Sequence, residues 1–489
     1  MRRMDREAMV IHSTGGNEQS RWPTAIQIIV ALLGVGCALA IQWHRLVNHD
    51  VAYLTWVADK VMHGAVFGVD IQELNPPLAF IIYSPAALLA QWTGYPHAIK
   101  LCIAALALVS MAVVAKTAPK NLTLPLIAGL GLFLAIGFPR EFGQREEIAM
   151  FLLAPYVAGY ARQNRWNVVS GVMAGIGACI KPYFLLVPII LLAHRRKIAA
   201  AEWALAITGF AYAAIILIFF RPYLEVMLPA ARTVYSGIGV QEAGQGQFLI
   251  LLDYLLVAVG IAALARDRNA LRLGLAGIGF GLAGALQGKF FDYHFMAAWG
   301  FVLLCLIAIL VCQTGIIRIL ALAGLVTTLV HFAFVARPWL NDAEGRETTV
   351  RAMLRQIDRA DSFIVISDYP FPAFPTAIYT RTPYLGAASC NMGLAAVGML
   401  DTGQDSTIDA SVRQIALGAE LADLRKQPEL VIVNTDWQSF SGLRSNNFDG
   451  LRWLNRNAGF HRLWQHYHFT GQIGQWKLYR RNTAIEGAG

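Results

Sequence analysis

Between two apolar segments the chain carries His49-Asp50-Val51-Ala52-Tyr53, then Gly64, then Asp70-Ile71-Gln72-Glu73-Leu74-Asn75-Pro76-Pro77. Asp50, Asp70 and Glu73 are carboxylates able to take a proton from a hydroxyl, the task of a general base. They sit where the chain has just left one apolar run and is about to enter the next. Asp50 opens a stretch with apolar residues at Leu54, Val57, Ala58, Val61, Met62 and Ala65. That spacing predicts an amphipathic helix at an interface, ended near Gly64. Asp50 is also a candidate cap for this helix. Asn75 precedes two prolines that suit the first turn of the next span.

Three further polar islands interrupt apolar sequence. Arg140-Glu141-Phe142-Gly143-Gln144-Arg145-Glu146-Glu147 packs five charges into eight residues, and Lys181-Pro182 breaks the apolar stretch 168–192. Gln287-Gly288-Lys289-Phe290-Phe291-Asp292-Tyr293-His294 puts a cation and two hydrogen-bonding rings beside an apolar run. Charges at membrane depth face a cavity or one another. Lys289 can neutralise a phosphate, and Tyr293 and His294 can donate to one. Each island also has an ordinary reading: Glu73 as a solvated acid, 140–147 as mutually paired charges, Lys181 snorkelling to the surface, and 290–293 as an interfacial belt.

Such islands need a scaffold, and the composition names it. The chain has 489 residues, 56% hydrophobic and 15% charged, with a mean hydropathy of +0.49. A soluble chain of this length carries more charge. The net charge of +9 fits basic loops that set orientation, and no basic-aromatic stripe points to nucleic acid. Five of six cysteines fall in apolar runs, leaving Cys390 alone in a polar region, and no CxxC pair is present. Trp22 to Trp43 has no charged residue and is bracketed by tryptophans, as retained spans are. Apolar runs follow at 76–93, 98–116, 122–138, 146–161, 166–180, 182–194, 200–220, 247–265, 272–288, 290–312 and 315–336.

Arg162 with Arg165, 194–197, and Arg266, Arg268 and Arg272 mark cytoplasmic loops. The segments 140–147, 221–247 and 287–294, and everything after Ala336, then fall outside. Twelve spans would put both ends on one side, whereas these loops put the N-terminus inside and the C-terminus outside. The miscounted run falls between Pro76 and Pro139, where Lys116 and Lys120 also read as cytoplasmic.

After Arg337-Pro338 the pattern changes to a helix over 346–358, a strand over 363–367, a helix over 409–427, a strand over 430–433, and a strand pair over 461–469 and 475–480. The expected fold class is therefore an α-helical polytopic membrane protein of about 11–13 spans with a small extracytoplasmic α/β domain. The expected parts are a cytoplasmic tail (1–22), a transmembrane catalytic body (23–336, with a first outer loop 44–75) and a periplasmic domain (337–489).

Asp50, Tyr53, Gly64, Asp70, Glu73 and Pro76-Pro77 resemble the first outer loop of the GT-C class of polyprenyl-phosphate-sugar-dependent glycosyltransferases. This class includes the protein O-mannosyltransferases and the aminoarabinose transferases of lipid A. The resemblance extends to Arg145-Glu146, Lys181-Pro182, and Lys289 with Tyr293-His294, and covers roughly residues 23–336. Members often carry an Asp four residues before the tyrosine, where this chain has His49; Asp50 lies three before Tyr53. The resemblance implies direct displacement with inversion at the sugar.

On this reading Asp50 is the base, and Arg145, Lys181, Lys289, Tyr293 and His294 hold the donor phosphate. His49, Tyr53, Asp70, Glu73, Asn75 and Glu146 support them. A divalent metal is not required, although Glu73 and His294 could join one. The partners are a polyprenyl-phosphate-linked sugar, a glycan, lipid or protein acceptor, and the bilayer. The expected location is a bacterial inner membrane. The alternative, a transporter or lipid flippase, also suits intramembrane charges and a Lys-Pro break, but the two halves show no internal symmetry.

Overall fold

A computed structural model describes residues 22–159, 165–237, 242–400, 410–437 and 448–482. Residues 1–21, Arg162 and Asp409 of the segments named above lie outside the described residues. In the membrane body the helices are α1 (Thr24–Gln42), α2 (His49–Met62), α3 (Leu78–Ile81), α4 (Ser84–Thr93), α5 (Tyr95–Thr117), α6 (Lys120–Ile136), α7 (Arg145–Gly159) and α8 (Trp166–Ile180). They continue with α9 (Leu186–Arg195), α10 (Ala200–Phe219), α11 (Leu228–Gly237), α12 (Glu242–Leu264), α13 (Arg268–Leu286), α14 (Met296–Cys312) and α15 (Gly315–Leu340).

Seven helices among the described residues are long and apolar enough to cross a membrane. Only 17% of the apolar window of α1, 11% of α10 and 22% of α15 is buried against protein, and Leu33, Phe210 and Phe334 point outward. Helices that show apolar side chains outward are matched to hydrocarbon rather than water. The segment containing α14 is 78% buried and forms the centre of the bundle. Small residues allow close crossings: a Cβ on Gly34 of α1 would lie 2.7 Å from the Gly131 Cα of α6.

Polar contacts at the helix ends assign them to two faces. On one, Gln42 Nε2 donates to the Pro139 carbonyl at 2.6 Å, Lys100 Nζ to the Trp43 and Arg45 carbonyls, and Lys181 Nζ to Gln287 Oε1. On the other, Asn121 donates to Cys312 Sγ, Gln313 to Asp267, and Thr117 to the Pro155 carbonyl. The basic residues Lys116, Lys120, Arg195, Arg266 and Arg268 flank helix ends on this second face.

These contacts locate the miscounted run. Residues 76–93 form α3 and α4, and Tyr83 between them donates to the Gly143 carbonyl on the first face. The chain then enters α5 from that same face, so the run turns back without crossing. Among the described residues the seven long helices and the shorter α6, α7, α8 and α9 remain, eleven segments joining the two faces. That odd number carries the chain from one side to the other.

A second correction concerns α2. It is not a half-wet interfacial helix: every residue from Val51 to Ala58 is buried. The C-terminal domain lies on it, with the Phe374 ring 5.1 Å from Tyr53 and 5.6 Å from Trp56. Nor does Asp50 cap the helix, because Asn48 accepts from the backbone N–H of Asp50 and Val51.

In that domain α16 (Arg346–Ile357) leads to β1 (Phe363–Ile366), followed by α17 (Ala373–Thr376), α18 (Met392–Leu400), α19 (Ala410–Arg425) and β2 (Leu430–Asn434). Then come α20 (Gly450–Asn455), α21 (Ala458–Trp464), β3 (Tyr467–Ile473) and β4 (Trp476–Arg481). The sheet order is β1-β2-β4-β3, with β1 and β2 parallel and the other pairs antiparallel. Phe363, Val365, Leu430 and Ile432 join the core shared with the membrane body, while Ile364, Ile366, Val431 and Val433 pack with residues of α18, α19 and α21. This is the two-sided alternation of a strand. Residues 461–464, expected in a strand, are helical, because Asn457 caps α21 by accepting from Gly459 and Phe460 N–H.

Candidate active site

The site begins where Asn48 starts α2. Asn48 Oδ1 accepts from the Asp50 N–H at 2.9 Å, and its Nδ2 donates to Glu141 Oε2 at 2.7 Å. Asp50 therefore sits in the first turn of a helix, where the dipole favours an anion. The 140–147 island reaches it from across the face. Gly143, at φ +82°, makes the turn into α7 that a side-chain-bearing residue would resist, and Glu147 Oε2 accepts its N–H. The turn delivers Gln144, whose Nε2 donates to Asn48 Oδ1 at 3.1 Å and to Asp50 Oδ2 at 3.0 Å. Arg145 follows with Nη2 3.6 Å from the same Asp50 oxygen.

Two more segments complete the cluster. Pro182 keeps Lys181 out of helical geometry, so α8 ends there with Lys181 extended. Its Nζ lies 2.6 Å from Glu146 Oε1 and 2.9 Å from Gln287 Oε1, and 5.5 Å from the Tyr293 ring centroid. His294 packs edge-on to Tyr293 at 4.5 Å. Acids and cations from three distant parts of the chain, with Gln287, Tyr293 and His294 from a fourth, thus meet at one face.

Burial works against charge on Asp50, but His49, Arg145 and the bond from Gln144 outweigh it and hold the carboxyl below its usual range. Burial pushes His49 down to about 4, so its ring is neutral at neutral pH, and there Arg145 and the Gln144 bond are what favour the Asp50 anion. Burial lifts Glu141 to about 7 and raises Glu73. Several buried polar atoms at this cluster have no hydrogen-bond partner: Arg145 Nε and Nη1, His294 Nδ1, Gln144 Oε1 and Glu146 Oε2. An unmade bond of this kind costs about 1–3 kcal/mol, more for a charged group. Protein sites tolerate that where a ligand makes the bond.

The remaining expected residues divide. Tyr53 is buried and its hydroxyl donates to the Gln72 carbonyl; Glu73 is buried and its Oε1 accepts from the Asn75 N–H and Nδ2. His49 faces the Tyr369 ring at 5.2 Å, with Nε2 3.7 Å from Asp50 Oδ1. Asp70 stands apart: it is exposed and closes a turn by accepting from the Val66 N–H. Lys289 donates to the Tyr235 carbonyl of α11 at 2.7 Å, which ties it to that helix. Among the described residues no three His, Cys, Asp or Glu side chains group as metal ligands. Sequence reasoning passed over Asn48, Gln144 and Gln287. The signal was present for all three, since Asn48 is a preferred capping type at a helix start and Gln144 and Gln287 lie inside the polar islands.

The cluster pairs an ionised carboxylate with unpartnered donors at the edge of a membrane bundle. Residues 74–265 match the model of glycosyltransferase family 87. The family 87 match supports a membrane glycosyltransferase and agrees with the GT-C resemblance. It spans Asn75, Arg145, Glu146 and Lys181, and leaves Asp50, Glu73, Tyr293 and His294 outside its limits. No curated protein matches the chain.

Proposed function

We propose that the protein moves a sugar from a polyprenyl-phosphate donor to a hydroxyl acceptor at the extracytoplasmic face of a bacterial inner membrane. The observation that carries this reading is the buried Arg145 guanidinium. One of its nitrogens faces Asp50, while Nε and Nη1 have no partner. A lipid phosphate supplies the acceptors those nitrogens lack, and its prenyl tail suits a site at the rim of an apolar bundle. His294 and the Tyr293 hydroxyl add polar contacts, and Lys181, held by Glu146, adds positive field.

Asp50 takes the proton of the acceptor hydroxyl as its oxygen bonds to the anomeric carbon. The bond from that carbon to the phosphate oxygen breaks, and the electron pair leaves with the lipid phosphate. Arg145 and Lys181 stabilise the charge that grows there. Asn48 and Gln144 hold Asp50 in position, and Gln144 keeps it ionised. Displacement on one face with departure on the other inverts the anomeric centre. The C-terminal domain, which covers α2, closes the site from above on the periplasmic side.

The test is Asp50→Asn in protein reconstituted with undecaprenyl-phosphoryl sugars. The loss expected for a missing general base is about 10²–10⁴ in turnover, with lipid-phosphate binding retained. Turnover near the wild-type rate would remove Asp50 from the mechanism.

A further inference from the structure

We propose that the cleft at the joint between α15 and α16 binds a neutral saccharide, which is the acceptor of the transfer; this rests on the function proposed above. The cleft is half open to solvent, with a cavity volume of about 50 Å³ at its base, and its walls include His49, Arg140, Trp339, Glu344, Arg346 and Glu347. It lies between the end of the membrane body and the start of the C-terminal domain.

Position is the first reason. His49 belongs to the cleft wall and places Nε2 3.7 Å from Asp50 Oδ1. The other carboxylate oxygen, Oδ2, faces Gln144 and Arg145. Asp50 therefore stands directly behind the cleft wall, between His49 and Arg145. An in-line displacement needs that order, with the nucleophile arriving on one side and the phosphate leaving on the other.

Charge is the second reason. Arg140 pairs with Glu344 at 2.7 Å, Arg346 with Glu344 at 2.6 Å, and Glu347 with Arg45 at 3.2 Å. Asp342 accepts from the Glu347 N–H at 3.1 Å. Arg140 and Arg346 share Glu344 and Arg45 has Glu347, whereas Arg145, although it faces Asp50, keeps Nε and Nη1 without a hydrogen-bond partner. The cleft therefore has no strong pull on a phosphate or an acidic sugar. It offers paired polar edges for hydroxyl groups and, in the half-buried Trp339, an apolar ring for the C–H side of a sugar, with Arg45 5.2 Å from that ring's centre.

In the step that follows, the saccharide hydroxyl gives its proton to Asp50 and its oxygen bonds to the anomeric carbon. The carbon–phosphate oxygen bond breaks, and the pair leaves as lipid phosphate.

The experiment uses the full chain in nanodiscs, as wild type, Trp339→Ala and Trp339→Phe. Saturation-transfer NMR is recorded with maltotriose, mannotriose, galactotriose and arabinotriose, and undecaprenyl phosphate binding is measured on the same preparations. The expected result is saturation transfer to at least one trisaccharide. Trp339→Ala should weaken it about tenfold, whereas Trp339→Phe retains it. Lipid-phosphate binding should be equal in all three. Lipid-phosphate binding with no trisaccharide bound, or trisaccharide binding indifferent to Trp339→Ala, would overturn the proposal. Trisaccharide binding that depends on Trp339 in a protein blind to undecaprenyl phosphate would support the cleft and defeat the donor reading instead.

Discussion

Replacing Arg145 by lysine separates charge from geometry at the proposed phosphate site. The guanidinium is 4% exposed; its Nη2 is 3.6 Å from Asp50 Oδ2, and Nε and Nη1 are unpartnered. Lysine keeps the positive charge but has a single nitrogen, which cannot face Asp50 and also fill the role of two further donors. One charge-assisted bond to the phosphate is lost at least. Such a bond is worth about 1.5–3 kcal/mol, so affinity should fall about ten- to a hundredfold. The assay is undecaprenyl phosphate binding to purified Arg145→Lys protein, with product inhibition of turnover as a second readout. Because Asp50 keeps a cationic neighbour, its ionisation and the acid limb of the pH profile should hardly move. Binding within about threefold of wild type, a difference under 1 kcal/mol, would refute the assignment of the unpartnered nitrogens to the phosphate.

Other perturbations follow from the same contacts. Gln144→Leu removes a hydrogen bond made to the ionised form of Asp50, so the Asp50 pKa should rise. The acid limb of kcat/KM should then move to higher pH; an unmoved limb would mean that Asp50 is not the titrating group. Glu141 is lifted to about 7 from an ordinary 4.5, so its native carboxyl keeps a proton that the unfolded chain releases. Its contribution to stability is fullest below pH 4.5 and is lost as pH rises through about 7. Glu141→Gln keeps an acceptor for Asn48 and should stabilise the protein by about 2–3 kcal/mol at pH 8 and hardly at all at pH 4.5, read from thermal unfolding in detergent. Gly34→Val puts a side chain where α1 touches α6 and should cost about 1–3 kcal/mol in the same assay; an unchanged Tm would show that the two helices separate freely.

Hydrophobic length and loop charge were enough to read a many-span bundle from the sequence, because a bilayer admits few ways to satisfy a backbone. They were also enough to expose an error in the count, since basic loops fix sides independently of how many apolar runs are drawn. They could not say which run turned back. Residues 76–93 are as apolar as a span, and only the contact of Tyr83 with Gly143 and the entry of α5 from the same face show that they do not cross.

The residue types at the site were legible for a related reason. Asp50, Arg145 and Lys181 are costly at a membrane face, and cost marks function. What each one does was decided by neighbours far away in the chain. Lys181 is held by Glu146 and Gln287 whereas Arg145 keeps unpartnered nitrogens, and Lys289, of the same charge, bonds the backbone of α11. Asp70 and Asp50 share a loop and a chemistry, yet one closes an exposed turn and the other meets Gln144 and Arg145. Sequence carries the identity of a charge and its rough depth. Its partner is a matter of distances of a few ångströms between segments about a hundred residues apart, and only the packed bundle and the domain lying on it set those distances.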